Sequence, residues 1–236
     1  MASFYANPYD TSYSGFYFDS AEDYEKKAEA HPAEEFEIDF IDGSAAEAEV
    51  AEQLRVMGHG INQTNLAVWF DQVEYLSEYE QAQLTIQADR AGPQEDLESI
   101  IRDASDVDLR EGTLEDLAYE YVDEGIIDPA NYFDEEAFGR DIRMEGSHAY
   151  HLHEELEDAE LREDEDEIAR MKAAIEEAEN MSDREIGEHY VEMAGDVREL
   201  GTDTISQYVD YDAVARDLAH DYTEEKFAGT TYVVSR

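Results

Sequence analysis

Cysteine is absent from this chain of 236 residues, lysine and proline each occur four times, and no apolar run approaches the length of a membrane helix. Each shortage excludes something. Without cysteine there are no disulfides and no thiolate chemistry, which fits a reducing compartment. A membrane-spanning helix needs about 18 or more consecutive apolar residues, so no span is expected. The opening MASFYANPYD lacks a basic stretch followed by a long apolar run, so no signal peptide is expected and the expected location is the cytoplasm. The scarcest property is positive charge: 16 Lys and Arg stand against 63 Asp and Glu, a net charge of −47.

What is present argues for a folded protein. Apolar residues make up 42% of the chain, aromatics 11%, and tyrosine occurs 16 times. Disordered acidic chains are poor in aromatic and β-branched residues. Such a charge repels nucleic acid and anionic membranes and attracts basic partners, so no direct nucleic-acid or membrane binding is expected. Duplex DNA carries one charge per ~1.7 Å of axis, so an equal charge on DNA would occupy roughly 80 Å. A compact chain of this length has a radius of gyration of only ~17.5 Å. Crowding on that scale favours an elongated body.

The periodicities predict an α+β fold, drawn out into an acidic multi-domain chain with a small N-terminal α+β unit followed by mainly helical modules. In residues 1–61, two aromatic-rich strands flank a turn with Asn7-Pro8 and Gly15. Ser20 with Asp23 starts a helix, and EFEIDFID alternates as a half-buried strand. In residues 62–112, Leu66, Trp69, Phe70 and Val73 lie at helical spacing, and Ser77 with Glu80 forms a capping box. Pro93 opens a further helix whose apolar face is Leu97, Ile100 and Ile101.

A repeat follows. YFDEEAFGRD at 132–141 and YVDYDAVARD at 208–217 share Tyr, Asp, Ala, Arg and Asp, and the preceding TLEDLAYEYVDEG and SDREIGEHYVEMA share Tyr-Val. The first copy occupies residues 113–146, beginning with Thr113 and Asp116 in capping-box spacing. The second occupies 182–236 and ends in a strand, TTYVVSR. Between them, residues 147–181 carry thirteen acids against three bases and a thin apolar stripe. The expectation there is one or two long helices interrupted at Glu163–Glu167. In the repeat, Asp134 and Asp210 are expected to cap helices, and Arg140-Asp141 and Arg216-Asp217 to form internal ion pairs.

Motifs for chemistry are missing. DVDLREGTLEDL begins like a Ca²⁺ loop, but Arg110 replaces the third ligand and Glu111 the required glycine. His148, His151 and His153 with Glu154 match no zinc spacing. There is no phosphate-binding glycine loop, nucleophile elbow or HExxH. No cofactor, metal or catalytic residue is expected. The candidate functional residues are acids in three groups: Asp103, Asp106, Asp108 and Glu111 before the first copy; Glu115, Asp116, Glu120, Asp123, Glu124, Glu135 and Glu136 within it; and Glu163, Asp164, Glu165 and Asp166 in the insertion.

The segments FYANPYDTSYSGFYF, EFEIDFIDG, LEDLAYEYVDEG with NYFDEEAFGRD, and YVDYDAVARDLAHDY together resemble the ArdA antirestriction proteins. The likeness spans most of residues 2–146 and 182–236. It implies an elongated, homodimeric mimic of B-form DNA that occupies the DNA-binding channel of type I restriction–modification enzymes. Such a protein is not an enzyme, and it protects incoming phage, plasmid or transposon DNA. This chain departs from the family pattern in carrying the Tyr-Asp-Arg-Asp module twice, around an acidic insertion. That leaves dimer geometry and mimicked length open, and with them a shifted target such as a DNA-gripping CRISPR effector. An acidic chaperone for basic proteins, or an acidic surface adapted to high salt, would explain the charge without mimicry. Mimicry should align acids in rows on one side, whereas salt adaptation should scatter them.

Overall fold

The structure, a computed structural model, describes residues 2–92, 94–146 and 149–236, without the side chains of Tyr150 and His151. The expected roles of Pro93, His148 and the His151 ring lie outside the described residues. The fold is α+β, and the chain forms two compact units, Met1–Thr113 with Asp221–Arg236, and Leu114–His220.

The first unit starts with strands β1 (Ser3–Pro8) and β2 (Phe16–Phe18), helix α1 (Ala21–Glu29) and strand β3 (Phe36–Asp42). They form an antiparallel sheet in the order β2-β1-β3, with Phe4 opposite Phe18 on one side and Phe40 on the other. Alternation buries Phe36 and Ile38 and exposes Glu37 and Asp39. Helices α2 (Ala45–Met57), α3 (Leu66–Asp71), α4 (Glu78–Arg90) and α5 (Leu97–Ala104) follow. Ser20 caps α1, and Ser44 with Glu47 and Ser77 with Glu80 form complete capping boxes on α2 and α4. The ring of Phe4 sits 5.3–5.7 Å from the rings of Phe18, Phe40, Trp69 and Phe70. Leu54, Leu84 and Ile100, fully buried like Phe4 and Trp69, belong to the same hydrophobic cluster. Each such side chain contributes ~1.5–3 kcal/mol, which is how a chain of this charge holds together.

A second sheet revises the expected domain boundaries. Strand β4 (Leu109–Glu111) stands just before the second unit, and β5 (Tyr222–Phe227) and β6 (Thr230–Ser235) just after it. The order is β4-β6-β5, so the closing strand belongs with the first unit and not with the second copy of the repeat. The cause is apolar content. Tyr232, Val233 and Val234 of β6 are all buried, and the middle position gives them a neighbour on each edge. Residues 1–61 and 62–112 likewise share one hydrophobic cluster, so the five expected segments become two units.

The second unit contains α6 (Leu114–Asp123), α7 (Glu135–Met144), α8 (Tyr150–Arg162), α9 (Glu165–Asn180), α10 (Asp183–Ala194), α11 (Thr202–Tyr208) and α12 (Tyr211–Leu218). Asp134 and Asp210 cap α7 and α12 as expected, accepting 2.9 Å bonds from the backbone N–H of Ala137 and Ala213. The insertion forms α8 and α9, which pack on each other and bury Ala159, Ile175 and Ala178. Their break falls inside the acidic run, at Glu163 with φ 54°, and Asp164 caps α9.

Candidate acidic interface

The two copies of the repeat fold against each other. Helix α6, from the first copy, packs on α12 of the second, and α10 of the second packs on α7 of the first. The bonds between them are reciprocal. Asp134 N–H donates to the Tyr208 carbonyl at 2.8 Å and Asp210 N–H to the Tyr132 carbonyl at 2.9 Å, around an antiparallel bridge between Phe133 and Val209. The Tyr132 hydroxyl donates to Asp217 at 2.6 Å and the Tyr208 hydroxyl to Asp141 at 2.7 Å. A self-complementary interface between identical subunits has this form; here one chain supplies both halves.

That pattern corrects the expected ion pairs. Asp141 and Asp217 accept tyrosine hydroxyls from the opposite copy, while Arg140 reaches Glu136 and Asp183, and Arg216 reaches Asp210. The frame is shared by the two copies because Tyr and the second Asp of one bond to the Asp and Tyr of the other. The phenols respond. Burial, with the Asp141 carboxylate beside it, pushes Tyr208 up to about 12. The bond to Asp217 raises Tyr132, and burial raises Tyr211.

The two crossings differ in detail. Gly139 and Gly187 let α7 and α10 approach so closely that a methyl on Gly139 would lie 1.7 Å from the Asp183 carbonyl oxygen. Ala215 and Ala118 hold the corresponding positions on α12 and α6. On α10, Arg184 links Glu188 at 2.9 Å and Glu135 at 3.0 Å, and the Glu188 bond holds its guanidinium above its ordinary range. At the positions of those two glutamates the other half carries Tyr119 and Tyr211, stacked with ring centroids 3.8 Å apart.

The fifteen candidate acids divide between the units, four in the first and eleven in the second. Asp103 is half-buried and bonded to Arg102 at 2.9 Å, and Asp106, Asp108 and Glu111 are exposed around β4. The stretch compared with a Ca²⁺ loop is therefore partly strand. Helix α6 exposes Glu115, Asp116, Glu120 and Asp123 on the side away from buried Leu117, Ala118, Tyr121 and Val122, and Glu124 is exposed just beyond it. Glu135 is spent on Arg184, and Glu136 pairs with Arg140 at 3.5 Å. Glu163 and Asp164 are exposed but shape the α8–α9 turn, and Glu165 and Asp166 occupy the first turn of α9, where the helix dipole favours anions. The second unit carries 34 acidic against 8 basic side chains, a net of −26.

Among the described residues, no group of three or more His, Asp or Glu is arranged to hold a metal ion, and no helix is long and apolar enough to cross a membrane. The tyrosines of the interlock and of the stack escape a search for acids; aligning the two copies marks the first pair, and nothing local marks the second. No family model, curated protein or solved structure matches the chain.

Proposed function

We propose that this protein is a non-enzymatic, cytoplasmic mimic of duplex DNA that inhibits a DNA-binding defence enzyme, foremost a type I restriction–modification complex, by filling its DNA channel. The observation that carries this reading is the ratio of 63 acids to 16 bases on a chain with a well-packed core. Lys and Arg can balance no more than 16 of the 63 negative charges, so an excess of 47 stays uncompensated within the chain even where one arginine spans two carboxylates. The resemblance to ArdA proteins points to the same class of target. Fixed carboxylates stand in for phosphates opposite Lys and Arg and offer no backbone to cleave. Binding energy is then spread over many exposed pairs, each contributing about 0–1 kcal/mol.

The test is a competition titration against labelled duplex bound to a type I enzyme, with a CRISPR effector as a parallel target. Single neutralisations such as Glu115→Gln or Asp123→Asn should weaken inhibition less than about tenfold, the equivalent of ~1.4 kcal/mol. Combining four to six distant ones should cost several kcal/mol. Failure to displace DNA from either enzyme refutes the mimicry. Abolition by one neutralisation that leaves the fold intact points to a localised site instead.

A further inference from the structure

Tyr119 is 46% exposed on the acidic side of α6, with one face stacked on Tyr211. Glu115, Asp116 and Asp123 stand at four before, three before and four after it, the spacings that bring helical side chains together. Beside the stack lies a cleft of about 520 Å³ whose wall includes Tyr119, Glu120, Asp123, Ser206 and Tyr211. Among the described residues that line it, the one cation, Arg198, is bonded to Asp128 at 2.8 Å. A ring with carboxylates around it is the setting in which a guanidinium binds best, flat on the aromatic face with its N–H groups toward the acids.

The other half of the repeat places a guanidinium at the equivalent crossing from within the chain, held by carboxylates and not by rings. Aligning the copies puts Glu115 at the position of Arg184, Tyr119 at Glu188 and Tyr211 at Glu135. On α10 the Arg184 guanidinium bridges the two glutamates. On α6 the arginine position holds Glu115, whose exposed side chain makes no hydrogen bond or ion pair among the described residues, and the bridged acids are replaced by two stacked rings.

We propose that the Tyr119–Tyr211 cleft is a receptor for one arginine side chain of the partner, a guanidinium entering from outside where Arg184 supplies one internally. The proposal rests on the reading of the α6 face as partner-facing, but its test needs no defence enzyme. The probes are acetyl-Gly-Arg-Gly-amide and its lysine and citrulline counterparts, titrated into the full-length protein and followed by NMR at the tyrosine rings. The arginine peptide should shift the Tyr119 and Tyr211 signals saturably, at least about fivefold more tightly than the lysine peptide, with citrulline weaker still. Glu115→Arg should fill the place from within and erase the preference. Glu176→Arg, the same charge change on an exposed part of α9, should keep it. Tyr119→Leu, which retains apolar cover over Tyr211, should also erase it. Equal binding of arginine and lysine, or equal loss in Glu115→Arg and Glu176→Arg, reduces the effect to diffuse charge and overturns the proposal. The arginine preference can survive a failure to displace DNA, and DNA displacement can survive its loss, so the two readings fail separately.

Discussion

Substituting Gly139 by alanine tests the helix exchange directly. By helix propensity alone the change should stabilise α7 by up to ~1 kcal/mol. The structure predicts the opposite. The new methyl would sit 1.7 Å from the Asp183 carbonyl oxygen and 2.6 Å from the Gly187 nitrogen, both backbone atoms that no rotamer change can move aside. Helices α7 and α10 must therefore separate by more than an ångström, and overpacking of this kind costs ~1–3 kcal/mol. The clash is with backbone, so the upper part of that range applies, and the net loss should be about 1–3 kcal/mol. Because the chain has two units, one melting curve does not isolate this loss. Hydrogen exchange read by mass spectrometry on peptides covering α7 and α10 does, and their protection should fall by roughly 5- to 150-fold. The counterpart change Ala215→Gly at the α6–α12 crossing introduces no clash and should cost only ~1 kcal/mol. Unchanged or increased protection in Gly139→Ala would refute the close approach of α7 and α10.

Two further substitutions probe the second unit. Tyr208 is held protonated up to about pH 12 in the fold, against about 10 when exposed, so its contribution is complete below pH 10 and is lost between pH 10 and 12. That displacement sets an upper bound of ~2–3 kcal/mol, which solvent screening at this partly exposed site reduces. Tyr208→Phe should flatten this alkaline decline and lower stability at neutral pH by ~1.5–3 kcal/mol through loss of the bond to Asp141, both read from urea titrations across pH. Glu163 holds a left-handed conformation at φ 54°, so Glu163→Gly should relieve strain and stabilise the α8–α9 pair by ~0.5–1 kcal/mol, read by exchange protection of those helices.

Local grammar was legible in the sequence where it is set by neighbours within four residues. The Ser20, Asp134 and Asp210 caps, the Ser77–Glu80 box, the alternation of β3 and the break within Glu163–Glu167 all depend on such neighbours. The assembly of the units was not legible. Strand β6 finds β4 across more than a hundred residues, and no pattern in TTYVVSR names that partner. The repeat was visible, but its internal pairing was not, because each Tyr and Asp is satisfied by the other copy. Adjacency on a helix does not decide an ion pair: Arg102 and Asp103 meet at 2.9 Å, whereas Arg140 turns to Glu136 and Asp183 and Asp141 accepts from Tyr208. Acids are so abundant that spacing singles out no one surface among them. Exposure alone could not separate the α6 face from residues such as Glu136, which is exposed and yet pairs with Arg140.

Salt separates the two demands on this charge. Within the 107 residues of the second unit, a net of −26 makes the folded state repel itself, whereas an unfolded chain spreads the same charges apart. Raising ionic strength from 0.01 to 1 M shortens the screening length from ~30 to ~3 Å, so repulsion between helices is largely removed while contacts under 3 Å, such as Tyr132 to Asp217, persist. Stability against urea should therefore rise with salt. If the protein acts by the proposed mimicry, attraction between its exposed carboxylates and a basic channel is screened by the same ions, and inhibition of the target enzyme should weaken over the same range. The opposed trends belong to one cause and are measured on one preparation, by unfolding and by DNA competition at matched salt. A fold indifferent to salt would mean that the carboxylates are already neutralised within the chain. Inhibition that persists at 1 M would mean that the partner is held by something other than its cations.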